Sequence, residues 1–338
     1  MFKANIHKKL KEFELDINVE SDAHVLSILG PSGCGKSMTL KCIAGIEKPD
    51  SGCIMLNDEI LYDDRARIDV PSRKRRVGLL FQDYALFPNM NVIENIKCVY
   101  KDSCGYSVDE LLEKFRIKDI KDSSVTKISG GQKQRVALAR MIGNDPKVYI
   151  FDEPFSALDS HLRWSLEKEL TELFDELKKP VIYVSHSRDE VYRFSDDIIV
   201  MDKGVILEHS KKNDLFSCPK TVKAAMLTGC KNFSKIICQD GKFYAKDFGA
   251  PLSVDCKGKK YLGYRAHNFE ITDRIGDNTL VGHVERCIEN VFSFIVIVRT
   301  LSGYELVLEM DKPSYERIKD LKDLIIRMKV DDMMFFEE

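Results

Sequence analysis

Short apolar runs bounded by polar residues or glycine recur along the first two thirds of the chain, and stretches with helical spacing lie between them. The run Val25–Leu29 ends at Gly30, and Ser37–Ala44 then places apolar side chains three and four positions apart. This pattern predicts a buried strand followed by a helix. Strands that alternate with helices usually pair in parallel, so we expect an α/β fold with a parallel β core. Further predicted strands are Val77–Phe81, Val148–Phe151, Val181–Ser185 and Ile198–Met201, and further predicted helices are Ser107–Phe115, Gln132–Ile142 and Leu162–Leu177.

The pattern changes near residue 228, where short strands joined by glycine-containing turns replace the alternation. Leu301-Ser302-Gly303 is typical of a hairpin turn. We therefore predict two domains, residues 1–228 and a small, mostly β domain at 229–338. The strands predicted in the second domain are Lys242–Ala245, Tyr261–Arg265, Gly282–Cys287, Phe292–Thr300 and Tyr304–Met310.

The composition of the chain argues against several classes of protein but does not indicate a function. The 338 residues include 52 basic and 54 acidic side chains, a net charge of −2 that gives no reason to expect nucleic-acid binding. The basic run Arg73–Arg76 is expected to be a solvated loop. No apolar run approaches the ~18 residues of a membrane span, and the first residues lack the apolar centre of a signal peptide. Ten cysteines without a CxxC pair favour free thiols in a reducing cytosol.

The segment from Gly30 to Ser37 matches the phosphate-loop pattern GxxxxGK[ST] between a predicted strand and a predicted helix. Glycines let the backbone wrap an anion, and its N–H groups and the following helix N-terminus point at a phosphate. Lys36 is expected to reach the β- and γ-phosphates of ATP, and the Ser37 hydroxyl to coordinate Mg²⁺. This pattern alone leaves kinases, GTPases and motors open. The residues predicted to line the nucleotide here are Gly30, Pro31, Ser32, Gly33, Cys34, Gly35, Lys36 and Ser37.

Two adjacent carboxylates, Asp152 and Glu153, follow the predicted strand Val148–Phe151. Asp152 at the strand end can hold Mg²⁺, and Glu153 could polarise an attacking water as general base. A kinase has no use for that base, because its nucleophile is a substrate hydroxyl. The pair therefore favours a hydrolase.

A second anion site is predicted at the start of the helix that follows Ile128. Ser129 can cap this helix, and Gly130 and Gly131 allow close backbone approach. A single chain would hardly bind one γ-phosphate with two anion sites from the same side. A homodimer, in which Ser129 of each copy faces Lys36 of the other, explains both sites.

Together these motifs resemble the motif set of ATP-binding-cassette ATPases, in that family's order, over about residues 1–225. The resemblance implies a P-loop cassette with a helical subdomain at about 83–143, which hydrolyses ATP with Mg²⁺ as a transport ATPase. It implies that Gln82 contacts Mg²⁺ and the attacking water, that His186 contacts the γ-phosphate, and that Asp159 lies at the dimer interface. The residues that carry the resemblance are Gly30–Ser37, Gln82, Ser129–Gln132, Asp152–Glu153, Ser156–Asp159 and His186.

Two nucleotide contacts follow from the resemblance less directly. Phe13 is the candidate for stacking on adenine, since a phenyl face suits a purine. The alternative is that Phe13 is only a core strand residue. Met38 stands where the family often has Thr or Ser, at a position that can contact the α-phosphate.

The stretch from Tyr62 to Pro88 resembles ATPases of molybdate/tungstate and sulfate importers, and the C-terminal domain resembles the small TOBE-type β modules of importers. The resemblance implies import, with molybdate or tungstate as first choice and sulfate, thiosulfate or another solute (iron, sugar, polyamine) as alternatives. The residues themselves do not specify an oxyanion. The β domain is expected to hold the dimer together, and the alternative is that it binds a regulatory oxyanion.

The expected partners are a second copy, integral-membrane permease subunits and, indirectly, an extracytoplasmic solute-binding protein. This places the chain at the cytoplasmic face of the membrane. Tyr84, Leu86 and Phe87 could contact the permease, or could simply pack in the core. The scattered histidines His161, His209, His267 and His283 lack metal-ligand spacing. Rival readings are a cytosolic cassette ATPase without a transport role and a regulatory module that has lost catalysis.

Overall fold

A computed structural model describes residues 1–155 and 160–338 of the chain. They form two compact units, Met1–Lys212 and Asn213–Glu338. The domain limits predicted from the sequence, 1–228 and 229–338, stay a prediction. The predicted interface segment Ser156–Asp159 lies outside the described residues. Within the described ranges, no helix is long and apolar enough to cross a membrane.

The described residues of the first unit form one large sheet with helices between its strands. Its strands are β1 (Phe2–Lys9), β2 (Glu14–Ser21), β3 (Val25–Leu29), β4 (Ser51–Leu56), β5 (Glu59–Asp63), β6 (Ile68–Asp69), β7 (Val77–Leu80), β8 (Val148–Asp152), β9 (Val181–Ser185), β10 (Asp197–Asp202) and β11 (Val205–Lys211). Its helices are α1 (Lys36–Ala44), α2 (Ser72–Arg75), α3 (Val92–Lys97), α4 (Val108–Lys114), α5 (Gly130–Gly143), α6 (Ser160–Glu176) and α7 (Arg188–Phe194). The predicted strands and helices of this region are confirmed to within one or two residues at most ends.

The sheet order is β6-β5-β4-β1-β2-β11-β10-β3-β9-β8-β7. The strands β10, β3, β9, β8 and β7 pair in parallel, which confirms the predicted parallel core. Every residue of β3, β8 and β9 is buried, as expected for strands covered on both faces. The other end of the sheet is antiparallel, and alternate residues are buried in β1 and β2.

This topology positions the site. Parallel strands that lie side by side end at the same edge of a sheet, so the residues that follow them meet there. Gly30 follows β3, His186 follows β9, Glu153 follows β8, and Gln82 comes shortly after β7. Four segments that are far apart in sequence therefore reach one edge.

The helices α3, α4 and α5 lie between β7 and β8 in the chain and pack around a shared apolar core. Each begins with a reciprocal capping box, at Asn91, Ser107 and Ser129. In each box the capping side chain accepts a backbone N–H three residues on, and that third side chain accepts the N–H of the cap. These caps explain why the helices begin where they do.

The expectation that Arg73–Arg76 is a solvated loop is wrong for Arg75. This residue ends α2 and is only 1% exposed. Its guanidinium donates to the carbonyl oxygens of Cys42 (2.8 Å) and Ile43 (2.9 Å) at the end of α1, and to Asp69 (3.1 Å). A fixed positive group suits a helix C-terminus, where carbonyl groups lack partners and the dipole is negative.

The second unit is mostly β, as predicted. Its two antiparallel sheets have the orders β14-β13-β12-β15-β21 and β16-β20-β17-β18-β19. Asn232 ties them together, because its side chain bonds both Tyr264 O (3.2 Å) and the backbone of Val307 (2.8 and 2.9 Å). The strands are β12 (Asn232–Gln239), β13 (Lys242–Ala245), β14 (Ala250–Leu252), β15 (Tyr261–Tyr264), β16 (Glu270–Thr272), β17 (Thr279–Glu289), β18 (Ser293–Thr300), β19 (Glu305–Asp311), β20 (Asp323–Arg327) and β21 (Met334–Phe336), and the helices are α8 (Lys212–Ser217), which begins at the last residue of the first unit, α9 (Val222–Leu227) and α10 (Lys312–Glu316).

Candidate active site

The loop between β3 and α1 has the backbone shape that its glycines allow. Gly33 and Gly35 have φ angles of 79° and 109°, in the region that side chains disfavour. A Cβ atom on Gly35 would also lie 2.9 Å from Cε of Met201 and 3.0 Å from Cδ1 of Leu15. Only glycine fits at this position, so the tight loop and the start of α1 depend on it.

Lys36 is enclosed by the loop that precedes it. Its side chain is 5% exposed, and Nζ donates to the carbonyl oxygens of Gly30 (2.9 Å) and Pro31 (3.0 Å). Nζ also lies 3.6 Å from Oε1 of Glu153. The loop therefore holds an ammonium group at the edge of the sheet, beside a carboxylate.

Ser37 and Asp152 are joined directly, since the Ser37 hydroxyl donates to Oδ1 of Asp152 at 3.1 Å. Burial raises the pKa of the Asp152 carboxyl, and the neighbouring charge of Glu153 also raises it, whereas the Ser37 hydrogen bond lowers it. A divalent cation would favour the ionised form. A hydroxyl beside a carboxylate is an oxygen donor set that Mg²⁺ takes, so these residues fit the predicted metal. Gln82, the third predicted ligand, lies exposed just beyond β7, the neighbour of β8.

Glu153 lies between Lys36 and His186. Its φ angle is 46°, unusual for a residue with a side chain, and its N–H donates to Val184 O at 3.0 Å. Its Oε2 is 3.1 Å from Nδ1 of His186. The backbone turn after β8 thus points the carboxylate at the lysine on one side and the imidazole on the other.

The remaining loop residues take different positions. Cys34 is buried, and burial raises the pKa of its thiol although Lys36 acts in the opposite direction. Ser32 and Gly33 are exposed and Pro31 is half-buried. Met38 is half-buried and packs against the apolar core behind the sheet.

Phe13 lies in the bend between β1 and β2, not in a strand. It is half-buried beside the phosphate loop: its Cε2 would be 3.3 Å from a Cβ on Gly35, and its Cδ2 2.7 Å from a Cβ on Gly204. This position suits the predicted stacking role, which stays a prediction.

The predicted second anion site lies at the N-terminus of α5. The Ser129 hydroxyl accepts the N–H of Gln132 (3.3 Å), and Oε1 of Gln132 accepts the N–H of Ser129 (2.9 Å). Ser129 and Gly130 are exposed, whereas Gly131 is buried. No hydrogen bond or ion pair within the described ranges joins this helix end to Lys36, so the two predicted anion sites are separate in one chain.

The loop after Gln82 corrects one expectation. Tyr84 is buried in the core of the helical segment and cannot form part of an exposed apolar patch. Leu86 is half-buried, and Phe87 is 45% exposed. The Arg140 guanidinium on α5 donates to the carbonyls of Tyr84 (2.9 Å) and Ala85 (2.8 Å) and lies 5.1 Å from the Phe87 ring.

Sequence reasoning missed the supports of this site. Arg140 holds the loop after Gln82, and Glu190, a buried carboxylate four residues after His186, contacts β9, the strand that precedes His186. The only signal for Glu190 was an acidic residue in the first turn of a short helix, which is common on protein surfaces. Asp159, predicted at a dimer interface, lies outside the described residues.

Comparison with known proteins shows the family to which this chain belongs. A family model described as "ABC transporter" matches residues 11–156. The spermidine/putrescine import ATP-binding protein PotA of Acetivibrio thermocellus is 34% identical over 315 residues, covering 90% of this chain and 86% of the relative. The chain belongs to the ABC transporter ATP-binding proteins.

Other comparisons agree with this assignment. PotA of Clostridium novyi is 37% identical over 225 residues, 65% of this chain but only 63% of the relative, which is less than two thirds of its length. The dimeric structure of the ATP-binding cassette MJ0796 bound to ADP and Pi covers 63% of this chain and 99% of that one, with 28% identity and a TM-score of 0.52. The predicted cassette fold with a C-terminal β unit is confirmed, and the predicted enzyme class, an ATP hydrolase, is that of the family. The molybdate resemblance finds no support in these relatives.

Proposed function

We propose that this chain is the ATP-binding and ATP-hydrolysing subunit of an ABC importer, and that the solute is a polyamine. The observation that carries the hydrolytic part is the convergence of Lys36, Glu153 and His186 at one sheet edge, beside the Ser37–Asp152 pair. A nucleotide-binding module without catalysis would not need a carboxylate aimed at an imidazole.

In the proposed mechanism the loop and Lys36 bind the phosphates. The backbone N–H groups at the start of α1 point at anions, and Lys36 supplies a positive charge that is already desolvated by the loop. Ser37, Asp152 and Gln82 would hold Mg²⁺. When bound, this ion neutralises charge on the phosphate oxygens.

Glu153 is the proposed general base. A water beside Oε2 would donate its proton to the carboxylate while its oxygen attacks the γ-phosphorus. The bond from that phosphorus to the oxygen bridging the β-phosphate would break, and ADP would leave with the electron pair. The His186 Nδ1–H, 3.1 Å from that oxygen, donates to the carboxylate and orients it, and the ring would contact the γ-phosphate. Phe13 beside Gly35 would stack on the base of the nucleotide. Met38 follows Ser37 in α1, and its position would contact the α-phosphate.

The proposed assembly is a homodimer that uses both anion sites. Ser129, Gly130 and Gln132 at the exposed start of α5 would close on the nucleotide held by Lys36 of the second copy. Gly131, which is buried in the single chain, is proposed with Ser129 to contact the γ-phosphate of that nucleotide. Phe87 and the loop held by Arg140 are proposed to face the membrane permease, at the cytoplasmic side. A solute-binding protein acts indirectly, and nucleic acid is not a proposed partner.

The proposed solute is inferred from the relatives, because the described site residues are assigned only to the nucleotide and its metal. Both PotA relatives are named as spermidine/putrescine importers. Polyamine was among the solutes left open by the sequence, whereas molybdate, tungstate, sulfate and thiosulfate gain no support from these names. The C-terminal β unit is proposed to hold the dimer, and 1–228 and 229–338 are the proposed domain limits.

The test has a hydrolysis arm and an uptake arm. Phosphate release by the purified wild type should depend on Mg²⁺, and Glu153→Gln should lower it at least ~10²-fold while ATP still binds, because the amide cannot take the proton. In cells whose own gene is disrupted, the wild type but not Glu153→Gln should restore spermidine and putrescine uptake.

Each arm can fail alone. Near-normal phosphate release by Glu153→Gln would remove Glu153 from the role of base. Restored uptake of molybdate, sulfate or a sugar, with polyamine uptake unchanged, would keep the ATPase and overturn the solute.

A further inference from the structure

A buried carboxylate, Glu190, lies directly behind the loop that carries His186. It sits in the first turn of α7 and is 4% exposed. Its Oε2 accepts hydrogen bonds from the Tyr183 hydroxyl (2.6 Å) and the Ser185 hydroxyl (2.7 Å). A buried charge is costly unless it is hydrogen-bonded and paired, so this carboxylate depends on its donors and they depend on it.

Both neighbours of His186 are tied to this carboxylate. The Ser187 N–H donates to the Ser185 hydroxyl at 2.9 Å, and that hydroxyl donates to Glu190. The Glu190 N–H in turn contacts the Ser187 hydroxyl at 3.4 Å. His186 is therefore held from both sides, with its Nδ1 3.1 Å from Glu153.

The second oxygen of Glu190 binds the guanidinium of Arg163 on α6. Arg163 also donates to Oε1 of Glu167 at 3.1 Å, and Glu167 pairs with Arg193 of α7. Two carboxylates thus share one arginine, but of the two only Glu190 is hydrogen-bonded to Ser185 in the described part of the chain.

The protonation of the donors agrees with this arrangement. Burial, and then the charge of Glu190, raise the pKa of Tyr183 well above its ordinary value. Its hydroxyl therefore keeps its proton and donates to the carboxylate.

We propose that Glu190 is a positioning residue for hydrolysis, which holds Ser185-His186-Ser187 so that the imidazole stays against Glu153. The proposal rests on the proposed ATPase function. With glutamine at position 190, one amide oxygen must accept from Tyr183 and Ser185 while the NH2 group faces the Arg163 guanidinium, or the reverse. Either orientation leaves a donor facing a donor, so the His186 ring no longer has one fixed place. A shift of about 1 Å in a catalytic group can cost about 10²-fold in rate.

The chain supplies a matched control. Glu190→Gln and Glu167→Gln each remove one carboxylate from Arg163 with little change in volume, and only the first removes the charge that Ser185 contacts. Ser185→Ala deletes the hydroxyl link itself and leaves both carboxylates. Melting temperatures of the full chains show whether a variant is folded.

Two readouts are taken on the full chain, namely phosphate release as a function of ATP concentration and the ring NMR signals of His186, assigned through His186→Ala. For Glu190→Gln we expect kcat to fall about 10- to 100-fold with KM within about twofold, since an interaction that acts in the transition state is lost. The His186 signals should shift in Glu190→Gln and in Ser185→Ala. Glu167→Gln should leave both kcat and the His186 signals as in the wild type.

The outcomes separate the two proposals. Wild-type kcat and unshifted His186 signals in Glu190→Gln overturn the positioning role while the ATPase assignment stands. An equal loss in Glu167→Gln also overturns it, because the network would then be purely structural. Should Glu190→Gln fail to fold, Ser185→Ala decides by the same readouts. If the wild type releases no phosphate, the proposed function is overturned. The His186 NMR shifts then test only whether Glu190 fixes the position of His186.

Discussion

Arg75 shows how the burial of one side chain can depend on partners that are far away in sequence. It is one of four consecutive basic residues, yet it alone in that run is buried. Its guanidinium satisfies the last carbonyls of α1, the helix that the phosphate loop begins. Burial lowers the pKa of Arg75, and the charge of Asp69 acts in the opposite direction. A local charge pattern cannot reveal such a role.

We predict that Arg75→Met destabilises the first unit by about 2–4 kcal/mol, because the buried Ile43 carbonyl loses its guanidinium donor and the Cys42 carbonyl keeps only the Gly45 N–H (3.2 Å). Arg73→Met, at an exposed position of the same run, should change stability by less than about 0.5 kcal/mol. Urea unfolding followed by circular dichroism measures both. Equal effects of the two substitutions would show that the hydrogen bonds of Arg75 contribute nothing specific.

The site residues differ in how far the sequence could identify them. Lys36, Ser37, Asp152 and Glu153 follow predicted strands in a fixed pattern, so their convergence was predictable from topology. Glu190 and Arg140 carry no such pattern, because their partners are backbone or hydroxyl groups of other segments. Supporting residues of this kind become visible only when the packing is known.

Among the elements, α5 combines a structural cap with a proposed binding role. Ser129 and Ser107 make the same capping box on two different helices. Losing either hydroxyl should cost about 1 kcal/mol of stability. Only Ser129 is proposed to face a nucleotide held by a second copy.

We therefore predict that Glu153→Gln forms a dimer when ATP is added, that Ser129→Ala in the same background abolishes it, and that Ser107→Ala does not. Light scattering after size exclusion gives the mass of each variant with and without ATP. Loss of the dimer in both alanine variants would point to helix stability, and persistence in both would remove Ser129 from the interface.

The helices and parallel strands were easier to predict than the antiparallel edge. β3, β8 and β9 consist mainly of large apolar residues, and such runs stand out in any sequence. β1 and β2 alternate apolar with polar residues, including lysine and asparagine, and so have low mean hydropathy. They pair with each other as a hairpin, and they also pair with β4 and β11, which lie farther along the chain.

At the scale of the whole molecule, the described site residues lie in Met1–Lys212, and the second unit has its own core. Asn232 is the polar link between the two sheets of that second unit. This division separates the proposed catalytic residues from the C-terminal sheets in sequence.

We predict that Asn232→Ala destabilises the second unit by about 2–4 kcal/mol, since the Val307 amide and two carbonyls lose their partner. At temperatures below the lowered unfolding transition of Asn232→Ala, phosphate release should continue. Asn290→Ala, at an exposed turn, is the control. Calorimetry measures the stability of each variant, and a phosphate assay measures its activity. Loss of hydrolysis in Asn232→Ala while the protein is still folded would contradict the division of the chain into two units.

The central place of β3 has a consequence for how the chain is made. Val25 pairs with Val181 and Leu26 with Asp197, so the strand that leads into the phosphate loop receives both neighbours only when β9 and β10 have left the ribosome. At ~5–20 residues per second, this delay is roughly 8–30 s. During that time a mostly apolar strand is available to wrong partners, whereas α3 to α5 can form from local contacts. A nascent chain interrupted before β9 would therefore be prone to aggregate, and chaperones would recognise it through the strand that leads into the proposed phosphate loop.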